Sequence, residues 1–150
     1  MKDSSWEDCI ESNSAIKVTP NKQKAMSLVE VAEGRINVFK MDLNEKTANY
    51  IFEDYYSSVL EFVQAIVFLK GYKVNNHICL GFFLRDFLKK EELFRTFDDC
   101  RFKRNSLMYY GKKMDFEVAK EAINKSKSLL SELRVIFKDA LKSERGKNEN

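Results

Sequence analysis

The sequence predicts an all-α protein, an antiparallel bundle of four to five helices, and three observations carry that prediction. Apolar residues recur at helical spacing over several long stretches. One proline and five glycines in 150 residues are too few to punctuate a set of short strands. Ala, Leu, Lys, Glu, Phe and Ile dominate the middle of the chain, as long helices require. A chain of this length makes one domain and buries a core without metal or disulfide staples. The expected organisation is a flexible N-terminal arm at 1–20, a helical bundle at 21–142 and a disordered tail at 143–150.

Met1 to Val18 mixes Ser, Asn, Asp and Glu with scattered apolar residues, and Pro20 closes the segment. Trp6 and Ile10, at i and i+4, can pin a short helical turn of this arm onto the body. Met26, Val29, Ala32, Ile36 and Phe39 then predict helix one from Asn21 to about Met41, with Thr19 before Pro20 as its cap and start. Asn44 is the expected cap of helix two, which continues to a stop at Gly71. The second half of that helix is apolar nearly all round, which puts it at the centre of the bundle. Asp54, Ser57, Ser58, Glu61 and Gln64 nevertheless form a polar stripe along it, facing either water or a polar site.

Asn75 or Asn76 caps a short helix from His77 to Phe87 or Leu88. The fourth helix spans about Lys90 to Tyr110 and ends at Gly111, with Leu93, Phe97, Cys100, Leu107 and Met108 inward. Arg104 falls on that same inward face and needs a partner, because an unpaired buried charge is costly. Glu61, a phosphate ligand or a facing subunit are the candidates. The last helix begins near Asp115 and carries Phe116, Ala119, Ala122, Ile123, Leu129, Leu130, Leu133, Ile136, Phe137 and Leu141 before fraying beyond Lys142.

Twelve phenylalanines and six tyrosines predict an aromatic core in which some tyrosines are half-buried with their hydroxyls on polar partners. The net charge of +3 is modest but unevenly spread. Asp3, Glu7, Asp8 and Glu11 lie at the start, whereas Arg101, Lys103, Arg104, Lys112 and Lys113 cluster late, as a phosphate-attracting patch or an ordinary solvated helix face would. Cysteines at 9, 79 and 100 are odd in number, lack paired spacing and have one histidine beside them, so neither a disulfide framework nor a zinc site is expected. Cys79 and Cys100 read as small core residues. The start is acidic and polar, unlike a signal peptide, and the expected location is cytoplasmic. The most apolar run, Phe62 to Leu69, is interrupted by Gln64 and falls far short of the ~20 residues of a membrane-spanning helix.

The stretch "RFKRNSLMYYG" before a long capped helix, and the segment "EDYYSSVLEFVQAIVFLKGYKVNNH", resemble stand-alone archaeal and bacterial members of the HEPN family, the higher eukaryote and prokaryote nucleotide-binding domains. The resemblance covers roughly Asn21 to Phe137. It implies a bundle of four or five helices that forms a homodimer, and many such domains are metal-independent RNA-cleaving toxins. Their signature is an arginine, a polar residue that is often asparagine, and a histidine four to six residues after the arginine. Arg104 and Asn105 match the first two positions, while Tyr109 stands where the histidine is expected.

Metal-free RNA cleavage needs a group that exchanges a proton near neutral pH, which suits histidine and not tyrosine. Arg104 and Tyr109 are the catalytic candidates if cleavage survives, with His77, the one histidine, as the alternative to Tyr109. Otherwise His77 is a cap or packing residue. Binding of nucleotide or RNA is expected at Arg101, Arg104, Asn105, Tyr109, Tyr110 and Glu61, with no metal and no cofactor. The plain alternative for this row is a set of hydrogen bonds within the bundle or across a dimer, as in a structural or adaptor protein. The resemblance also implies a nucleotidyltransferase antitoxin as partner in a toxin–antitoxin or defence setting. The tyrosine such partners modify falls at Gly111 here, with Tyr110 one residue short, so that modification is not carried over.

Overall fold

The computed structural model describes the backbone at 3–39 and 41–148, and side chains as far as 143. Among these residues six α-helices and one pair of short strands follow in order: α1 (Trp6–Glu11), β1 (Ala15–Lys17), α2 (Lys22–Val38), α3 (Ala48–Leu69), β2 (Tyr72–Val74), α4 (His77–Phe82), α5 (Glu91–Tyr110) and α6 (Phe116–Asn148). A π-helical turn, Phe83–Phe87, continues α4. The protein is therefore helical, as its periodicity predicts. No helix among the described residues is long and apolar enough to cross a membrane.

Helix α3 is the core element because it is apolar on almost every side: Val59, Phe62, Val63, Ala65, Ile66, Val67 and Leu69 are all buried. It packs against both α2 and α6. Asn21 N donates to Phe68 O, and Ser58 Oγ to Ala32 O, so α2 and α3 run antiparallel. Contacts between Asn49 and Met114 and between Phe62 and Phe137 advance together along both chains, so α3 and α6 run parallel. This departs from the predicted antiparallel neighbours. Helix α5 returns between the two in sequence and is itself antiparallel to each, which leaves α3 and α6 pointing the same way.

The helix starts obey capping chemistry, at shifted positions. Asn21, not Thr19, caps α2, its side chain accepting from Lys24 N at 3.0 Å. Helix α2 also stops at Val38, short of the predicted Met41. Asn44 holds a turn by accepting from Lys46 N and Thr47 N, and α3 proper begins four residues later. Asn49, buried near the start of α3, clamps the α5–α6 connection: its amide donates to Met114 O and accepts from Met114 N at 3.1 and 2.9 Å. Helix α6 continues to Asn148, past the predicted frayed end at Lys142, while residues 149 and 150 of the predicted tail lie outside the described residues.

The N-terminal segment corrects two expectations. Residues 3–20 are not a flexible arm but part of the packed body. Strand β1 pairs antiparallel with β2, Ala15 opposite Val74 and Lys17 opposite Tyr72. Trp6 is buried edge-on against Tyr72, Phe83 and Phe87, and its backbone N–H donates to the Asp86 carboxylate at 2.8 Å. Burial of one large aromatic ring stabilises by roughly 2–3 kcal/mol, enough to hold a short segment in place. Asp86 is in turn held by Arg85, whose guanidinium stacks on Phe82 and Phe94. The second correction concerns the cysteines: Cys9 and Cys79 form a disulfide, joining α1 to α4. Its partners lie 70 residues apart, a separation that carries no local spacing signal. Cys100 is the free, buried thiol, as predicted for a core residue.

Candidate anion-binding cleft

The cleft forms where the start of α4 faces the C-terminal half of α5. Asn76 launches α4, its side chain accepting from Cys79 N at 2.8 Å. One residue earlier, Asn75 N donates to Ser14 O at 2.9 Å, so the N-terminal segment buttresses this wall from behind. Across from it, the i, i+4, i+8 spacing of Arg101, Asn105 and Tyr109 places all three on one face of α5. These three, with Asn75, Asn76 and His77, line a hollow of about 330 Å³.

Two groups behind the opening shape its electrostatics. The Tyr56 side chain lies buried between the rings of Phe52 and Phe97, and its Oη lies 3.4 Å from Nδ1 of His77. Burial pushes the Tyr56 hydroxyl well above its ordinary range, so it keeps its proton. Burial, and then the nearby Arg104 and Arg101, push the His77 imidazole below its usual value and favour its neutral form.

Arg101 is steadied by Asp98, Nε to Oδ1 at 2.9 Å. Arg104, half-buried, makes no ion pair or hydrogen bond among the described residues. Asp99, on the same helix, is occupied by Lys103 and Lys125, which hold its pKa down against the opposing effect of burial. The cleft is therefore lined by the donors of Arg101, Asn75, Asn76 and Asn105 and has the charge of Arg104 close by. That arrangement suits an oxyanion such as a phosphate.

The predicted site residues divide clearly. Arg101, Asn105 and Tyr109 line the cleft, and Arg104 acts on it through its charge. Tyr110, at the end of α5, is 82% exposed and lies off the cleft wall. Met108, predicted to face inward, is exposed because the last turn of α5 extends past the core. Glu61 is not Arg104's partner: it pairs with Arg35 of α2 through two hydrogen bonds of 2.7 and 2.5 Å. His77, undecided between packing and chemistry in the sequence, stands in the cleft. Tyr56 is the residue the sequence reading misses, although the abundance of tyrosine predicts buried hydroxyls seeking polar partners.

A second hollow of about 360 Å³ lies between α5 and α6, where Phe102, Lys103, Lys112 and Lys113 contribute. It has no counterpart to the Tyr56–His77 pair. The one grouping of possible metal ligands among the described residues is Asp3, Cys9 and Cys79, and the disulfide occupies both sulfurs. No family model, curated protein or solved structure matches the chain. The resemblance to HEPN domains rests on the motif residues themselves.

Proposed function

We propose that this protein is a HEPN-like module that binds the phosphate of a nucleotide or RNA in the α4–α5 cleft, without the usual ribonuclease activity. One observation carries the reading: Arg101, Asn105 and Tyr109 converge with His77 on a single cleft beside Arg104, which is unpaired among the described residues. Arginine holds phosphate oxygens through paired N–H groups, asparagine adds a donor, and an exposed tyrosine supplies a stacking face for a base. Tyr109, 72% exposed at the cleft edge, has that freedom. The test is RNA and nucleotide binding by filter retention or calorimetry, comparing the wild type with Arg104→Ala. Binding confined to the wild type supports the reading, and equal affinities defeat it.

A second reading, a metal-independent ribonuclease, is favoured by the presence of His77 in the cleft, since a histidine from α4 then stands in for the one missing after Arg104. Incubation with RNA in EDTA separates the two: cleavage that disappears in His77→Gln or Tyr109→Phe selects the enzyme. A homodimer, a nucleotidyltransferase antitoxin partner and a toxin–antitoxin or defence setting belong to the same proposal through the family resemblance. Exposed Phe102, Met108 and Tyr110 in the second half of α5 are compatible with a dimer or adaptor face. A cytoplasmic location is part of the reading and requires a cytosol that tolerates the Cys9–Cys79 disulfide, as those of hyperthermophiles do.

A further inference from the structure

His77 lines the cleft, but its chemistry there is decided one layer deeper. The Tyr56 side chain is 1% exposed, and among the described residues its hydroxyl has one polar neighbour, Nδ1 of His77. A buried hydroxyl is costly unless its proton rests on an acceptor. Nδ1 serves as that acceptor only when it bears no proton of its own. A neutral imidazole bare at Nδ1 carries its proton on Nε2. No carboxylate hydrogen-bonds either ring nitrogen among the described residues, and the charged groups near the ring, Arg101 and Arg104 of α5, disfavour a second proton.

We propose that Tyr56 is a positioning residue that locks His77 in its Nε2–H tautomer, so that the cleft meets an anionic oxygen with a neutral N–H donor and not with a base. The proposal rests on the reading of the cleft as a phosphate site and sharpens it. A general base at Nε2 needs a free lone pair on that nitrogen, and this tautomer has none. What remains is a third kind of donor beside the guanidinium and amide groups. Such a donor selects for deprotonated oxygens, as a phosphodiester or phosphate monoester offers, and the cleft becomes a site of recognition and not of cleavage.

His77 is the sole histidine, so tag-free protein labelled with nitrogen-15 gives one pair of imidazole signals. At pH 7.5 the expected spectrum shows Nδ1 as the bare, pyridine-type nitrogen and Nε2 as the protonated, pyrrole-type one, with Nε2 moving when inorganic phosphate is added. Tyr56→Phe keeps the ring between Phe52 and Phe97 and removes the hydroxyl. It should mix the tautomers, and it should weaken phosphate binding roughly three- to tenfold, as the loss of one neutral hydrogen bond does. A proton on Nδ1 in the wild type overturns the proposal, as does an unchanged tautomer in Tyr56→Phe. The wild-type spectrum decides the tautomer even if the variant folds poorly. A bare Nδ1 without any phosphate response upholds the lock and defeats the assignment of the cleft as a phosphate site.

Discussion

Arg35 and Glu61 form a two-pronged ion pair across the α2–α3 interface, and Arg35 reaches past it to Ser58 Oγ at 3.1 Å. The hydrogen-bonded Glu61 carboxylate raises the Arg35 pKa above its ordinary value. Since both side chains are largely screened from water, losing the Glu61 carboxylate leaves the Arg35 charge uncompensated, with the Ser58 hydroxyl as its remaining hydrogen-bond partner among the described residues. Glu61→Gln should therefore cost about 1–2 kcal/mol of stability, read from the urea midpoint, and leave phosphate affinity unchanged. Weakened binding at unchanged stability would return Glu61 to the site.

Arg104 differs in that it has no partner to lose among the described residues. Arg104→Ala should leave the melting temperature essentially unaltered while weakening RNA or phosphate binding by roughly tenfold or more, the worth of a charge-assisted hydrogen bond. Arg104→Lys should recover part of the affinity, because an ammonium keeps the charge and loses the paired geometry. The logarithm of wild-type affinity should fall steeply with the logarithm of salt concentration, and the slope should shrink by about one unit in Arg104→Ala. A variant that unfolds, or binds as tightly as the wild type, would contradict this assignment.

His77 links stability to pH. Its folded pKa lies below the unfolded value of 6.5, so between the two the unfolded chain binds more protons and stability rises with pH. The contribution is complete above about pH 6.5 and is lost as acidification carries the pH down through the lower folded value. Thermal melts across this range should show a downward slope toward acid that is reduced in His77→Asn. Parallel pH profiles for wild type and variant would show that His77 titrates as it does in an unfolded chain.

Joining Cys9 to Cys79 closes a long loop, and such cross-links contribute about 2–4 kcal/mol, mainly by restricting the unfolded chain. Cys9→Ser with Cys79→Ser, or full reduction, should lower the denaturation midpoint by that amount. Both sulfurs are shielded from solvent, so reduction under native conditions should be slow and should accelerate in mild denaturant. An identical midpoint with and without reductant would mean that the two thiols are not bonded in solution. The same experiment reports on the cleft, since α1 and β1 support the turn that carries Asn75, Asn76 and His77.

Much of the scaffold is legible in the residue pattern. Helices α2, α3, α5 and α6 follow their apolar periodicity, Asn76 and Gly111 end or begin helices where capping rules put them, and Arg101, Asn105 and Tyr109 share a face because 3.6 residues make a turn. The misplaced details have local causes. Asn21 caps α2 two residues past Thr19, and the Asn44 side chain does cap backbone N–H groups, those of Lys46 and Thr47, but in a turn that precedes α3 proper. The N-terminal segment reads as loose because its polar composition hides the three residues that anchor it, Trp6, Cys9 and Ala15.

What the sequence by itself determined is the set of helices and the row of side chains along α5, since both follow from interactions within a few residues of one another. Only the tertiary structure decided that Cys9 bonds Cys79, that β1 pairs with β2, that Glu61 belongs to Arg35, and that His77 meets the α5 row with Tyr56 behind it. Each of these joins segments far apart along the chain. Their partners are selected by how the helices pack around α3, a property of the whole core that no local window of residues contains.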